Sequence, residues 1–304
     1  MSSVVLPQPV RSAALPLIAA MVGVALFTLM DAVMKGLSLV IGAYCAMLWR
    51  TVVALLTTGL PWLHEGAAWP ARPIALLHLQ RGAVNAVSAT GYFFGLTRLP
   101  MAEGIALSFI APLIALYLSA AMLDERVGWR AIAASLLGLS GVVLLVAARL
   151  GGPHDMRAVV GAVAILIAAS VYGYGIVLLR RQAQAASPVA IAFFQNAATF
   201  LWLAPAALWL APLPGVQHWP AILAGALLAQ ASMMLLAWAY ARAEAKTLIP
   251  AEYTAFIWSA LFGALIFGEA LTRTVLAGAV LIIAGCVLAA LAKSPPPMPT
   301  EMAL

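Results

Sequence analysis

The chain has 304 residues, of which 65% are hydrophobic and only 9% are charged, and its mean hydropathy is +1.05. So much apolar surface cannot be buried in one water-soluble core with so few charges to coat it, which excludes a soluble globular protein and leaves one that lives in lipid. The formal charge of +6 then reads as the Lys and Arg excess of cytoplasmic loops rather than as a nucleic-acid surface.

Each spanning helix needs about 20 apolar residues. Apolar segments punctuated by charge, Gly and Pro predict ten helices, at 15–34, 43–60, 74–96, 104–123, 129–147, 159–179, 189–210, 221–241, 248–267 and 272–292. Arg11 precedes the first apolar run, but that run continues to Asp31 without a small-residue cleavage site, so it reads as an uncleaved first span. Thr28, Asp31 and Lys35 share one face of this helix. A carboxylate in an apolar run needs a partner, and two candidates are at hand: Lys35 one turn on, and Arg50 inside the second apolar run. A structural ion pair and a substrate-binding or gating role both fit Asp31, Lys35 and Arg50; protonation of Asp31 as a coupling step is a third reading.

The third helix carries the clearest polar stripe, with Arg81, Asn85, Ser88 and Tyr92 at i, i+4, i+7 and i+11. Arg81 is expected to snorkel to the nearby surface, and Asn85, Ser88 and Tyr92 to line a cavity, because such a stripe does not face lipid. Pro112 predicts a kink in the fourth helix. Glu125 and Glu269 each stand just before a helix start, where the positive end of the helix favours a carboxylate, and read as structural corners. Tyr172 and Tyr174 in the sixth helix, Gln195 with Thr199 and Trp202 in the seventh, and Gln230 with Trp238 in the eighth are further candidates for a cavity wall. Glu252 is explained as an acidic group in the first turn of the ninth helix. Cys45 and Cys286 each lie in an apolar run and read as packing residues. The proline-rich tail 294–304 is expected to be disordered and cytoplasmic.

Two charged residues and a glycine recur at one interval: Arg98, Glu125 and Gly141 are matched by Arg242, Glu269 and Gly285, with 242−98, 269−125 and 285−141 all equal to 144. Earlier in each half the interval becomes 145, pairing Arg50 with Gln195. The chain therefore divides into a first five-helix repeat over 1–152 and a second over 153–293. An odd number of crossings per copy forces the second copy in from the opposite face, so the fold class is an all-α membrane protein of ten helices in two inverted repeats. With the amino terminus inside, Arg11, Arg72, Arg126, Arg130, Arg180, Arg181, Arg242, Lys246 and Lys293 are cytoplasmic, against Lys35, Arg98, Arg149, Arg157 and Arg273 outside, which predicts both termini in the cytoplasm.

The sequence has no HExxH, G-x-S-x-G, Walker A, GxGxxG or Cys/His cluster, so an intramembrane hydrolase and an ATP-driven pump both lose support, and no metal or cofactor is expected. Asp31-Ala-Val-Met-Lys35 leading to Trp49-Arg50, Ala111-Pro112-Leu113 leading to Asp124-Glu125-Arg126, and the echo of Leu123-Asp124-Glu125 in Phe267-Gly268-Glu269 resemble the drug/metabolite transporter superfamily, specifically its EamA-type branch and within it the ten-span aromatic amino acid exporters. That resemblance implies a carrier of small metabolites in the inner (plasma) membrane, working without ATP, and often an amino acid exporter. Gln195 and Phe256 depart from the first copy's Arg50 and Pro112, so the halves need not bind symmetrically. The middle of the bundle reads as neutral, with Asn85, Ser88, Gln195 and Gln230 to hydrogen-bond and Tyr92, Tyr172, Tyr174 and Trp238 as flat walls. This mixture suits aromatic or large apolar amino acids, moved outward by alternating access in a protein functional as a monomer. A vitamin, nucleobase or drug carrier of the same fold is the alternative within transport, and a non-transporting structural membrane subunit is the alternative outside it. Cysteine scanning along Asn85, Ser88 and Tyr92 separates the last two classes: a carrier lets water-soluble thiol reagents reach these sites, and a packed scaffold does not.

Overall fold

A computed structural model describes residues 14–123, 129–150, 156–183, 185–242 and 245–291. All of the regular structure among them is helical: α1 Ala14–Ile41, α2 Ala43–His64, α3 Arg72–Leu96, α4 Met101–Ser108, α5 Ile110–Leu123, α6 Trp129–Leu150, α7 Met156–Ala183, α8 Pro188–Leu210, a 3-10 turn Val216–His218, α9 Trp219–Tyr240, α10 Ala245–Phe267 and α11 Arg273–Leu291. Six stretches are long and apolar enough to cross a membrane: Leu15–Ile41, Ala43–His64, Met101–Leu118, Met156–Leu179, Pro188–Leu210 and Val216–Tyr240. Shorter apolar helices cover Ile132–Ala148, Ala251–Phe267 and Arg273–Gly285. The 25-residue α3 is in neither group because His78, Gln80, Arg81 and Asn85 dilute its apolar residues. Leu208, Met234 and Leu265 are each more than 70% exposed, so large apolar side chains face outward as a lipid-facing surface requires. This is the build of a multi-pass membrane protein.

Several element bounds differ from expectation, and the differences move functional residues. The first helix runs seven residues past Met34 to Ile41, which puts Asp31 and Lys35 inside it rather than near its end. The fourth predicted helix is broken at Phe109 into α4 and α5. Pro112 has no N–H to offer the Ser108 carbonyl, and the turn before it tightens, with the Phe109 N–H donating to both Ile105 O (3.2 Å) and Ala106 O (3.3 Å). The kink thus falls where proline chemistry puts it. The helix α10 starts at Ala245, so Glu252 stands beyond its first turn, and it accepts a hydrogen bond from Tyr240 instead of serving the helix end. Glu125, the tail 294–304 and both chain ends lie outside the described residues, as does the side chain of Cys286; Cys45 is a buried free thiol.

Helix packing follows a scheme that maps onto itself when the two halves are exchanged. Helix α1 lies against α9 and α10, while α7 lies against α3 and against α4 and α5. Helix α2 packs on α8, and α6 on α11. The α6–α11 contact is antiparallel and backbone-close: a Cβ on Gly285 would stand 2.5 Å from Gly138 N and 2.6 Å from Ala134 O, and one on Gly141 would stand 2.6 Å from Gly278 O. Small residues here replace the hydrophobic drive that lipid removes. Gly285→Leu is therefore expected to lower stability by about 1–3 kcal/mol, since backbone cannot yield as a side chain can. Gly36→Ala, with nothing within 4 Å of its Cβ, is expected to leave it unchanged. Thermal melting of the two variants in detergent checks the contrast.

Candidate functional site

The two ends of the bundle are built differently. From the middle of α3 toward the end where α1 and α3 begin and α7 finishes, a shallow cleft, partly continuous with the outside, is lined by Arg81, Val84, Asn85 and Ser88 of α3, by Tyr172, Gly175, Ile176 and Leu179 of α7, and by Gln195 of α8. Helices α3 and α8 meet closely because Gly82 has no side chain; a Cβ there would lie 2.4 Å from Ala198 Cβ. The approach lets Asn85 Nδ2 donate to Thr199 Oγ1 at 3.1 Å and Trp202 Nε1 donate to Leu79 O at 3.0 Å. Gln195, on the same face of α8, leaves its buried Oε1 without a partner. Tyr172 is 52% exposed, so its ring is a free wall.

Arg81 does not snorkel. Its Nη1 donates to Gln182 Oε1 at 2.7 Å, and Gln182, fully buried, also holds His78 Nδ1 at 2.8 Å through its Nε2. The His78 ring in turn stacks on Phe194, with centroids 5.2 Å apart. The guanidinium is thus fixed by a neutral amide, and among the described residues no carboxylate lies within ion-pair distance of it. It faces the cleft as an unbalanced positive charge.

At the opposite end Lys35 has found a partner that its own half does not supply. Its Nζ forms an ion pair with Glu269, donates to Leu99 O at 2.7 Å and stands 4.9 Å from the Phe267 ring centre. The other oxygen of Glu269 accepts from the Met101 N–H at 2.7 Å, the first residue of α4. The expected corner role of Glu269 is therefore real chemistry at a different helix: Thr272 Oγ1 caps α11 by accepting from Val275 N (3.2 Å), and Glu269 serves the start of α4. Both charges are nearly buried, at 5% and 16% side-chain exposure, so each requires the other.

Between the two ends lies Asp31. Tyr92 donates its hydroxyl to Asp31 Oδ2 at 3.2 Å, and Lys35, one turn on, is engaged elsewhere. Arg50 turns its Nη2 to Met47 Sδ at 3.3 Å and passes Gly225, whose Cβ would be 3.7 Å from Arg50 Cδ. Arg50 and Gln195 are repeat partners, and so are Arg81 and Gly225, since 225−81 is 144. Both of these arginines come from the first half, and the second half places a neutral residue at each matched position.

The remaining candidates lie elsewhere. Gln230 donates to Thr57, joining α9 to α2. Tyr174 is half-buried and does not line the cleft. Trp238 lies 4.3 Å from the Arg242 guanidinium, which also donates to Trp238 O at 3.2 Å. Arg98 repeats this on Phe94, at 3.5 Å from the ring and 2.9 Å from the carbonyl. The repeated arginines are helix-end staples, and Trp238 is half of one of them. What sequence reasoning missed is the Gln182–His78 support of Arg81; the available signal was the i, i+3 spacing of His78 and Arg81 on one face of α3. Among the described residues no group of three His, Cys, Asp or Glu is placed to hold a metal.

The sequence model of the EamA-like transporter family matches residues 14–147 and 159–291. The pseudopaline exporter CntI of Pseudomonas aeruginosa (strain UCBPP-PA14) is 23% identical over 269 residues, covering 86% of this chain and 90% of that protein. A riboflavin transporter of Brucella anthropi is 28% identical over 247 residues, covering 77% and 83%. A solved crystal structure shares the fold with a TM-score of 0.60 at 21% identity, over 92% of this chain and 96% of its own.

Removing one member of the Lys35–Glu269 pair strands a buried charge, so Lys35→Met and Glu269→Gln are each expected to cost about 3–5 kcal/mol, and the double variant Lys35→Met/Glu269→Leu much less than their sum. Melting of the three variants tests this; additive losses would mean the two groups act independently.

Proposed function

Because the chain belongs to the EamA-like transporter family, of the drug/metabolite transporter superfamily, we propose that it is a secondary carrier that moves a small carboxylate-bearing metabolite with a flat or large apolar part outward across the plasma membrane by alternating access, without ATP and as a monomer. Its architecture on this reading is ten spans in two inverted five-helix repeats, 1–152 and 153–293, with both termini cytoplasmic. The exchange symmetry of the helix packing and the antiparallel α6–α11 contact support the inversion.

The observation that carries the reading is the contrast between the ends. Lys35 and Glu269 tie α1, the start of α4 and the end of α10 together on one side, while on the other a polar cleft opens between α3, α7 and α8. A carrier with its outer gate latched and its inner cleft exposed has this form. The inner part of the cleft takes no more than a water or two, so a solute enters as the helices part. Arg81 attracts an anionic group to the mouth, Tyr172 offers a flat wall, and Asn85, Ser88 and Gln195 supply hydrogen bonds. Aromatic and large apolar amino acids meet these conditions. The two relatives bear names with different solutes, so the cleft and not the family sets the choice. Riboflavin-like vitamins are the second reading, favoured by the Brucella anthropi relative and by the free face of Tyr172.

In proteoliposomes, Arg81→Gln and Asn85→Leu are expected to lower flux of labelled aromatic amino acids at least about tenfold, the loss of a charge-assisted or buried hydrogen bond. Trp238→Phe, at the helix-end staple, is expected to leave flux unchanged with folded yield intact in all three. Flux of riboflavin without flux of any amino acid favours the second reading, and unchanged flux in both cleft variants contradicts the site.

A further inference from the structure

The geometry points to Asp31 and Arg50 as a split head-group site: Asp31 Oδ1 takes the ammonium of an α-amino acid and Arg50 takes its carboxylate, so that the carrier selects zwitterions. This rests on the carrier reading above and deepens it. Asp31 is 3% exposed, and while Oδ2 is held by Tyr92, Oδ1 has no donor at all. A buried carboxylate oxygen left open is costly, and the bundle keeps it open although a lysine stands one turn away. Lys35 is withheld from it by Glu269 and Leu99 O. Arg50 is close enough for its charge to act on Asp31, yet it makes no direct ion pair with it; its Nη2 is turned to a methionine sulfur and its Nε is likewise buried without an acceptor. Two opposite charges are therefore held near one another, each with a vacant hydrogen-bonding position.

An ammonium and a carboxylate on one carbon complete both positions at once, and a solute with only one of them leaves a buried charged group unmet. That difference gives discrimination of a kind that apolar walls cannot give. The position fits the path of the solute. Tyr92 is one turn beyond Ser88, which lines the cleft, and Tyr172 on the cleft wall is within electrostatic reach of Arg81, Glu252 and Asp31. Arg81 receives the solute at the mouth and Tyr172 lies beside its side chain, while Asp31 stands one turn below Lys35 of the latch. Glu252 is the other acidic group in reach of Tyr172, but it already accepts from Tyr240 and is exposed.

The test measures displacement of labelled phenylalanine from the full-length protein by phenylalanine, by 3-phenylpropanoate, which lacks the ammonium, and by 2-phenylethylamine, which lacks the carboxylate. Wild type is expected to prefer phenylalanine over either analogue by at least about tenfold, as one charge-assisted hydrogen bond allows. Asp31→Asn is expected to bring phenylalanine down to the level of 3-phenylpropanoate and leave that analogue unchanged; Arg50→Gln is expected to bring it down to the level of 2-phenylethylamine. Tyr92→Phe keeps Asp31 in place and serves where Asp31→Asn does not fold; it is expected to weaken phenylalanine several-fold and 3-phenylpropanoate not at all. Equal binding of all three compounds by wild type, or variants that lower all three alike, overturns the head-group site while the carrier reading stands. Flux of riboflavin with no binding of any of the three overturns the amino acid reading together with it.

Discussion

A lysine and a glutamate buried in an apolar bundle cannot stand alone, and the need of Lys35 and Glu269 for each other joins parts of the chain 234 positions apart. The pair fixes more than two side chains. Glu269 also receives the first N–H of α4, and Lys35 also reaches the carbonyl of Leu99, so one ion pair draws together α1, the α3–α4 turn and the end of α10. Charges are few in the chain, and several of those among the described residues can be traced to a task. Arg98 and Arg242 staple helix ends, Arg81 is set in the cleft by Gln182, and Asp31 and Arg50 remain incompletely bonded in the interior.

The helical framework explains why the polar groups gather where they do. Gly82 lets α3 and α8 close on each other, which brings Asn85 to Thr199 and turns Gln195 into the cleft. The same stripe that lowers the hydropathy of α3 makes it the central wall of the cleft, because a helix with His78, Arg81, Asn85 and Ser88 along it is stable in lipid only when surrounded by protein. At the α6–α11 contact glycines bring backbone against backbone, with Leu145, Leu281 and Ile282 packed around them.

Much of this could be read from the residues. Period and composition gave the helices, the kink at Pro112 and the stripe of α3, and the 144-residue interval exposed the duplication. Of the eight residues expected to wall a cavity, Asn85, Ser88, Tyr172 and Gln195 share one cleft, whereas Tyr92, Tyr174, Gln230 and Trp238 do not line it. Long-range partners were not legible. Two acceptable partners for Asp31 could be named, Lys35 and Arg50, but nothing local indicates that Lys35 would be taken by a glutamate from the other half and leave Asp31 to Tyr92. Trp238 shows the opposite limit: an aromatic residue next to a helix end looks like a cavity wall until the arginine four residues on is seen to cover it. The repeat itself held the clue, since Phe94 and Arg98 stand in the same relation.

On the proposed carrier reading, the latched end and the cleft end open in turn. Spin labels at Leu39 and Leu271 report the latched end, and labels at Arg72 and Ala241 the cleft end, all four positions being exposed. Distance distributions from double electron–electron resonance in lipid nanodiscs, with and without transported solute, are predicted to change in opposite senses at the two ends, with Glu269→Gln alone shifting the population toward an open latch. Distributions that stay single and unmoved at both ends, in the presence of solute and in Glu269→Gln, would contradict it.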